Sequence, residues 1–333
     1  MSVAAAATPK NALGAIAVSP DGAMVVALGD NRVLYVVDPA TLEVKQRISL
    51  NLNPLEAVFS KDGQTLAVWD TDARLTFFAA SDWSVKATVE GAEAVAFAAD
   101  GDVVAAMGRA GYDADASTPV IIYALGDGSK KAEGSLKGKG ASIVAAADGT
   151  SYAVLTERTE TTAETKTDAP ADLDGAAEAE FEQKNDGYAS DVVRLDGSGN
   201  ETGRATTWYG TYDALSGSIV DGTAYFAGYS NVNLKVTADG TASVFVLPVS
   251  YLYGFGVSRD GKTFAGGSLR DGSTYAAADG ASKTFEADQR EGWPEYFEGF
   301  GFAPDGSVYG GTTAYRVIHV GPDGVIRTMK PVF

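Results

Sequence analysis

Short apolar runs separated by turn residues, in groups of four, make up most of this chain. In the first group Ala15–Val18 leads into Ser19-Pro20-Asp21-Gly22, followed by the runs Met24–Leu28, Val33–Asp38 and Val44–Leu50. Each run is rich in residues that favour strands and is bounded by residues that permit hairpins, so the group predicts one antiparallel sheet of four strands. The runs are apolar on both faces. A lone sheet cannot bury both faces, whereas a ring of stacked sheets can.

The first turn recurs. Asp-Gly pairs sit between apolar runs at Asp21-Gly22, Asp62-Gly63, Asp100-Gly101, Asp148-Gly149, Asp221-Gly222, Asp260-Gly261 and Asp305-Gly306. Successive spacings are 41, 38, 48, 73, 39 and 45 residues. A period of roughly 40 is the signature of an array of four-stranded units. The expectation is an all-β chain folded as a seven-bladed β-propeller of four-stranded antiparallel blades, with residues 1–12 as a tail and 13–333 as one domain. The last unit, from Phe297 to Val332, holds four strands of its own. A strand exchanged between the termini is therefore not required, and closure is expected to rest on packing between blades one and seven.

One spacing is anomalous. The 73-residue interval contains residues 157–187, a stretch rich in Thr, Ala, Asp and Glu with ten acidic and three basic residues. Such a composition buries too little apolar area to offset its ordering entropy, so a flexible insertion in blade four is expected.

Val18-Ser19-Pro20-Asp21-Gly22, Val36-Val37-Asp38-Pro39-Ala40-Thr41, Phe59-Ser60-Lys61-Asp62-Gly63 and Phe302-Ala303-Pro304-Asp305-Gly306 resemble the repeats of YVTN-type and WD40-like bacterial β-propellers. The resemblance covers nearly the whole chain and implies the fold. The Gly-His and Trp-Asp dipeptides of true WD40 repeats are missing, so the partner rules of those proteins do not carry over.

Composition narrows the partners. A net charge of -18 argues against nucleic acid, whose binding rests on neutralising phosphates, and against anionic membrane surfaces. No apolar stretch approaches the roughly 20 residues that a membrane span needs. Zero Cys excludes disulfides, thiolate metal sites and thiol nucleophiles. The start Met1-Ser2-Val3-Ala4-Ala5-Ala6-Ala7-Thr8 reads as a start codon before an Ala-rich mature terminus, and the expectation is an exported protein, periplasmic, surface-bound or secreted.

If each Asp-Gly turn joins the innermost strand of a blade (A) to the next (B), the B–C and D–A loops emerge together on the opposite face. By resemblance to propellers in general, that is the ligand side. The loops assigned there are aromatic in the last three blades: Trp208, Tyr209 and Tyr212, then Tyr251 and Tyr253, then Trp293, Tyr296 and Phe297. Trp69 with Asp70 and Asp72, Tyr112 with Asp113 and Asp115, and the acidic insertion belong to the same side. Rings at loop mouths give large contact area at low entropic cost, and carboxylates beside them suit cations, sugars or a protein. The competing reading is that the rings plug gaps between blades.

Catalytic signatures are sparse. His319 is the sole histidine and lies in Arg316–Val320, where a satisfied strand histidine is expected. No Gly-x-Ser-x-Gly elbow occurs. Gly256–Thr263 fits the phosphate-loop pattern by letter, but Phe264–Gly267 continues it as a strand and not as the helix that loop requires. The pairs Asp70 with Asp72, Asp113 with Asp115, and Asp172 with Asp174 could ligate calcium, the one candidate cofactor, yet none has EF-hand spacing. Carboxylates paired across the fold are not visible in sequence distance. Three functions stay open: a non-enzymatic module binding a protein partner or envelope component, a carboxylate- or calcium-dependent hydrolase, lyase or lactonase-like enzyme at the channel mouth, and a glycan or small-ligand binder stacking on Trp208, Tyr253 and Trp293.

Overall fold

The computed structural model describes residues 12–99, 102–111, 116–160, 188–207, 214–228, 232–249, 252–287 and 295–332. All regular structure in them is β. Blade one is β1 to β4 (Ala15–Val18, Val25–Leu28, Val33–Val37, Val44–Ser49), and blade two is β5 to β8 (Pro54–Phe59, Thr65–Asp70, Arg74–Ala79, Val85–Glu90). Blade three is β9 to β12 (Ala94–Phe97, Val103–Met107, Ser117–Ala124, Lys130–Lys137), and blade four is β13 to β16 (Gly140–Ala145, Ser151–Glu160, Tyr188–Leu195, Glu201–Thr207). Blade five is β17 to β20 (Ala214–Val220, Thr223–Gly228, Val232–Val236, Ala242–Val246), and blade six is β21 to β24 (Gly254–Val257, Thr263–Gly267, Asp271–Ala276, Ser282–Glu286). Blade seven is β25 to β28 (Phe297–Phe302, Val308–Thr312, Arg316–Val320, Ile326–Pro331). Each blade is one antiparallel sheet with its strands in chain order, and the protein is a seven-bladed β-propeller.

The two-faced apolar strands do what their pattern demands. Seven hydrophobic clusters fill the seven seams between neighbouring blades. Blades one and two share Leu28, Leu34, Leu66 and Val68, and blades six and seven share Ala265, Phe297 and Ile318. Blades seven and one share Val317, Leu13 and Tyr35. Fully burying one such large side chain stabilises the fold by about 1.5–3 kcal/mol, so every seam is apolar glue. The first strands of the blades line the axis, where Ala15, Ala17, Ala57, Gly256, Phe300 and Arg259 border a cavity of about 130 Å³.

All seven Asp-Gly pairs lie between the first and second strands of their blades, Asp100-Gly101 falling just outside the described residues. In the first, the Asp21 carboxylate accepts from the Ala23 N–H (3.0 Å) and the Ser19 hydroxyl (2.6 Å). Gly22 follows with φ +71°, a conformation a side chain resists. Asp62 and Asp260 repeat this arrangement. Blade five departs from it: Val220 pairs directly with Thr223, and Asp221 and Gly222 both take positive φ, the requirement of a two-residue type I′ turn. A second set of aspartates escaped the sequence reading. Asp38, Asp82, Asp127, Asp196, Asp239, Asp279 and Asp323 stand in the turns between third and fourth strands, each accepting from the N–H two residues on. Both sets open on the same face of the ring.

Closure needs no exchanged strand. Blades one and seven each keep four strands of their own. Their seam holds through β1 against β25, through the Tyr309 hydroxyl donating to the Pro39 carbonyl (3.0 Å), and through Arg47 donating to the Val332 carbonyl (3.2 Å). The insertion in blade four begins later than expected: β14 continues to Glu160, which pairs with Tyr188 of β15, so residues 157–160 are strand. Residues 161–187 lie outside the described residues.

Candidate functional site

Among the sequence-selected aromatics the structure brings one pair together. Tyr253 precedes β21 and Tyr296 precedes β25, so the two come from the loops that enter successive blades. Their ring centroids are 4.5 Å apart with planes inclined at 57°. An inclined pair at that distance is a favourable aromatic arrangement, and both residues are only half-buried.

The backbone under the pair is stitched on both sides. The Tyr253 N–H donates to the Gly267 carbonyl (3.0 Å). The Tyr296 N–H donates to the Thr313 hydroxyl (3.0 Å), and the Thr313 N–H donates back to the Tyr296 carbonyl (3.0 Å). Leu269 forms a bridge with Tyr296, while the Arg270 N–H donates to the Glu295 carbonyl and the Phe297 N–H to the Ser268 carbonyl. The B–C turn of blade six and the approach to blade seven thus form one rigid platform. Leu269, 39% exposed, extends it beside Tyr296.

Beneath Tyr296 lies a buried ion pair. Glu295, 5% exposed, accepts from the Thr312 hydroxyl (2.5 Å) and from Arg316 Nε (2.8 Å) and Nη2. Sequence reading missed Glu295, Arg316, Leu269 and Arg270. A signal existed: Thr312-Thr313-Ala314-Tyr315-Arg316 occupies the same B–C turn as Asp70-Thr71-Asp72-Ala73-Arg74 in blade two, and both end in the arginine that binds the carboxylate.

The acidic pair of blade two serves that turn. Asp70 is buried and accepts from the N–H groups of Asp72 and Arg74 and from Arg74 Nε, while Arg74 Nη2 reaches Asp72 at 2.9 Å. Both carboxylates are engaged by one guanidinium, an arrangement that fixes the turn. No group of three acidic or imidazole side chains suited to a metal occurs among the described residues. Trp69 is likewise structural. It is 9% exposed within the seam of blades two and three, and its indole N–H donates to the Ala92 carbonyl (2.8 Å). Tyr112, Trp208, Tyr209, Tyr212, Tyr251 and Trp293 lie outside the described residues, as do Asp113, Asp115, Asp172 and Asp174.

His319 lies in β27, as expected, but it is not satisfied. Its ring stacks on Tyr309 (4.6 Å, 8°), and Nε2 is buried without a hydrogen-bond partner. Burial lowers its pKa from the ordinary imidazole value, with Asp305 opposing. Gly256–Thr263 is an A–B hairpin: β22 follows it, and the Asp260 carboxylate is occupied by Ser258 and the Lys262 N–H.

Both faces carry backbone strain. On the Asp-Gly face the A–B turns fill left-handed positions mainly with glycine, but Asp221 (φ +48°) and, in C–D turns, Leu42 (+55°) and Trp83 (+62°) also stand there; on the opposite face the B–C turns of blades one, two, six and seven place Arg32 (+62°), Ala73 (+55°), Arg270 (+54°) and Tyr315 (+53°) there. A side chain in that region costs roughly 1–2 kcal/mol, so it persists only where surroundings enforce it.

Fold and platform together define a β-propeller with a rigid aromatic surface on its B–C and D–A loop face. No protein-family model matches the chain, and no curated protein matches it in sequence.

Proposed function

We propose that this propeller is a non-enzymatic binding module of the exported, YVTN-type kind, which engages a protein partner or envelope component through the face bearing Tyr253 and Tyr296. The observation that carries the reading is the pair itself: two half-buried tyrosines, 4.5 Å apart, supplied by loops of different blades and fixed by main-chain hydrogen bonds. Large rings with few rotatable bonds, held rigid before contact, are the side chains that dominate binding energy at interfaces.

The test uses the full chain and the double variant Tyr253→Ala, Tyr296→Ala, each immobilised and exposed to envelope extract of the host. A partner retained by the parent protein should be weakened about thirtyfold or more by loss of two such anchors. Thermal melts accompany the assay. Equal retention by both proteins refutes the reading, and a collapse of the melting temperature in the variant would show the rings to be core.

A further inference from the structure

Among the described residues no strand lies beyond the fourth strand of any blade, so each of these strands is an edge whose outward backbone groups are not taken up by a further strand. Folded proteins protect such edges, most often with charged side chains. Six of the seven follow that rule here. β4 carries Lys45 and Arg47, β8 Lys86 and Glu90, β12 Lys130, Lys131, Glu133 and Lys137, β16 Glu201 and Arg204, β24 Lys283 and Glu286, and β28 Arg327 and Lys330. Four of these cations also latch the edge to a neighbouring blade by donating to a carbonyl: Arg47 to Val332, Lys86 to Gly126, Arg204 to Lys137 and Lys283 to Pro322. β20 of blade five is the exception. Its sequence, Ala242-Ser243-Val244-Phe245-Val246, has no charge, and no strand lies beyond it among the described residues.

We infer that the β20 edge is a twofold contact with a second copy of this chain, the two strands pairing antiparallel about Val244 to join the fourth strands of two propellers into one continuous sheet. Charge selects this occupant. A chain of net charge -18 repels its own copy over much of its surface, and β20 is the one fourth strand among the described residues that brings no charged side chain of its own to a second copy. In this register Ser243 faces Phe245 of the second copy and Ala242 faces Val246. The nearest acid on the same hairpin, Asp239, falls opposite Val249, so the two Asp239 residues are roughly 30 Å apart at about 3.3 Å per residue. That is several screening lengths at physiological salt, and their repulsion is negligible. A strand of five residues gives a small interface, so the dimer is weak, with a Kd on the order of 0.1 mM.

Ser243→Glu tests the contact without endangering the fold. Ser243 pairs with Lys235 of β19 inside the blade, so a glutamate there has an opposite charge beside it in the monomer. Across the twofold it adds two like charges about 8 Å apart, weakening association about tenfold. The control is Thr284→Glu, the same kind of change at an exposed position on the β24 edge, whereas Ser243 is half-buried. Sedimentation from about 5 to 500 µM, bracketing the expected Kd, should show the parent protein and the Thr284 variant dimerising with concentration and the Ser243 variant needing about tenfold more protein to reach the same dimer fraction. A parent protein that stays monomeric over the range overturns the proposal and leaves the edge to the strand of another protein. A Ser243 variant that dimerises like the parent overturns it as well. Neither result touches Tyr253 or Tyr296, so the reading of the loop face stands or falls separately.

Discussion

Gly299→Ala measures how the ring closes. Blade seven meets blade one without an exchanged strand, so the close approach of β25 to β1 carries a burden that a shared strand would otherwise share. A Cβ placed on Gly299 would lie 2.5 Å from the Gly14 carbonyl oxygen and 3.0 Å from its carbon, both backbone atoms that cannot swing aside. Overpacking of this kind costs about 1–3 kcal/mol, against a gain of about 0.4–1 kcal/mol from the stiffer unfolded chain. The expected outcome is a net loss of about 1–2 kcal/mol. Gly203→Ala provides the opposite sign, because nothing lies within 4 Å of a Cβ at that position of β16. It should stabilise by up to about 1 kcal/mol, leaving a difference of about 2–3 kcal/mol between the variants. In a chain of 333 residues an unfolding entropy of about 2.1 cal/mol/K per residue converts 1 kcal/mol to only about 1.4 °C, so urea titration is the sharper assay. Equal midpoints for the two variants would refute closure by backbone contact at this seam.

Two further outcomes concern the charged and titrating groups. Glu295→Ala leaves the Arg316 guanidinium, 19% exposed, without its carboxylate, and should cost about 3–5 kcal/mol in urea titration; a loss under 1 kcal/mol would mean that the pair is solvated. Stability should fall on acidification in two windows. Burial holds His319 below its unfolded pKa, so its contribution is present above about pH 6.5 and lost as pH falls below it, and His319→Gln should flatten that window. The turn aspartates come next. The Ser19 hydroxyl holds Asp21 low, the Ser60 hydroxyl holds Asp62 low, and the Ser307 N–H holds Asp305 low; their contribution is present above about pH 3.9 and lost as pH falls through their depressed folded values. A stability profile flat from pH 7 to 3, followed by urea midpoint, would contradict both assignments.

The blade count, the strand order and the Asp-Gly turns were legible because each is a local event repeated seven times. A turn that needs Asp for its side-chain acceptor and Gly for positive φ writes both letters into the sequence. The second set of aspartates was equally local but was overlooked: five of the seven are followed by Gly like the first set, yet Asp38 and Asp82 are followed by Pro39 and Trp83, so the Asp-Gly pair does not mark every blade at that turn. The site was less legible. Trp69 reads as a loop-mouth aromatic until the register shows it inside strand β6, where the seam of blades two and three buries it. Glu295 and Arg316 are 21 residues apart and gain meaning only when the approach to blade seven packs on its own B–C turn. The Nε2 of His319 is orphaned by tertiary packing on Tyr309, which no residue near it in sequence announces.

The two faces of the ring are built under different constraints, and the difference points to where specificity can reside. On the Asp-Gly face most A–B turns satisfy themselves: the carboxylates of Asp21, Asp62 and Asp305 spend a lone pair on their own backbone, and glycine takes the left-handed position that Asp221 shares in blade five and that Leu42 and Trp83 take in C–D turns. Such turns are interchangeable among blades and carry little information. On the opposite face Arg32, Ala73, Arg270 and Tyr315 hold a conformation that glycine would adopt more readily, and each is kept there by contacts outside its own turn. Tyr315 donates its hydroxyl to Asp30 of blade one, and the Arg270 main chain is pinned to Glu295. Strain that is retained where glycine would relieve it requires a side chain worth retaining. Tyr253 and Tyr296, from D–A loops, are pinned to the B–C turns of blades six and seven, so it is this fixed aromatic pair, and not strain alone, that marks the loop face as the surface on which a partner is to be sought.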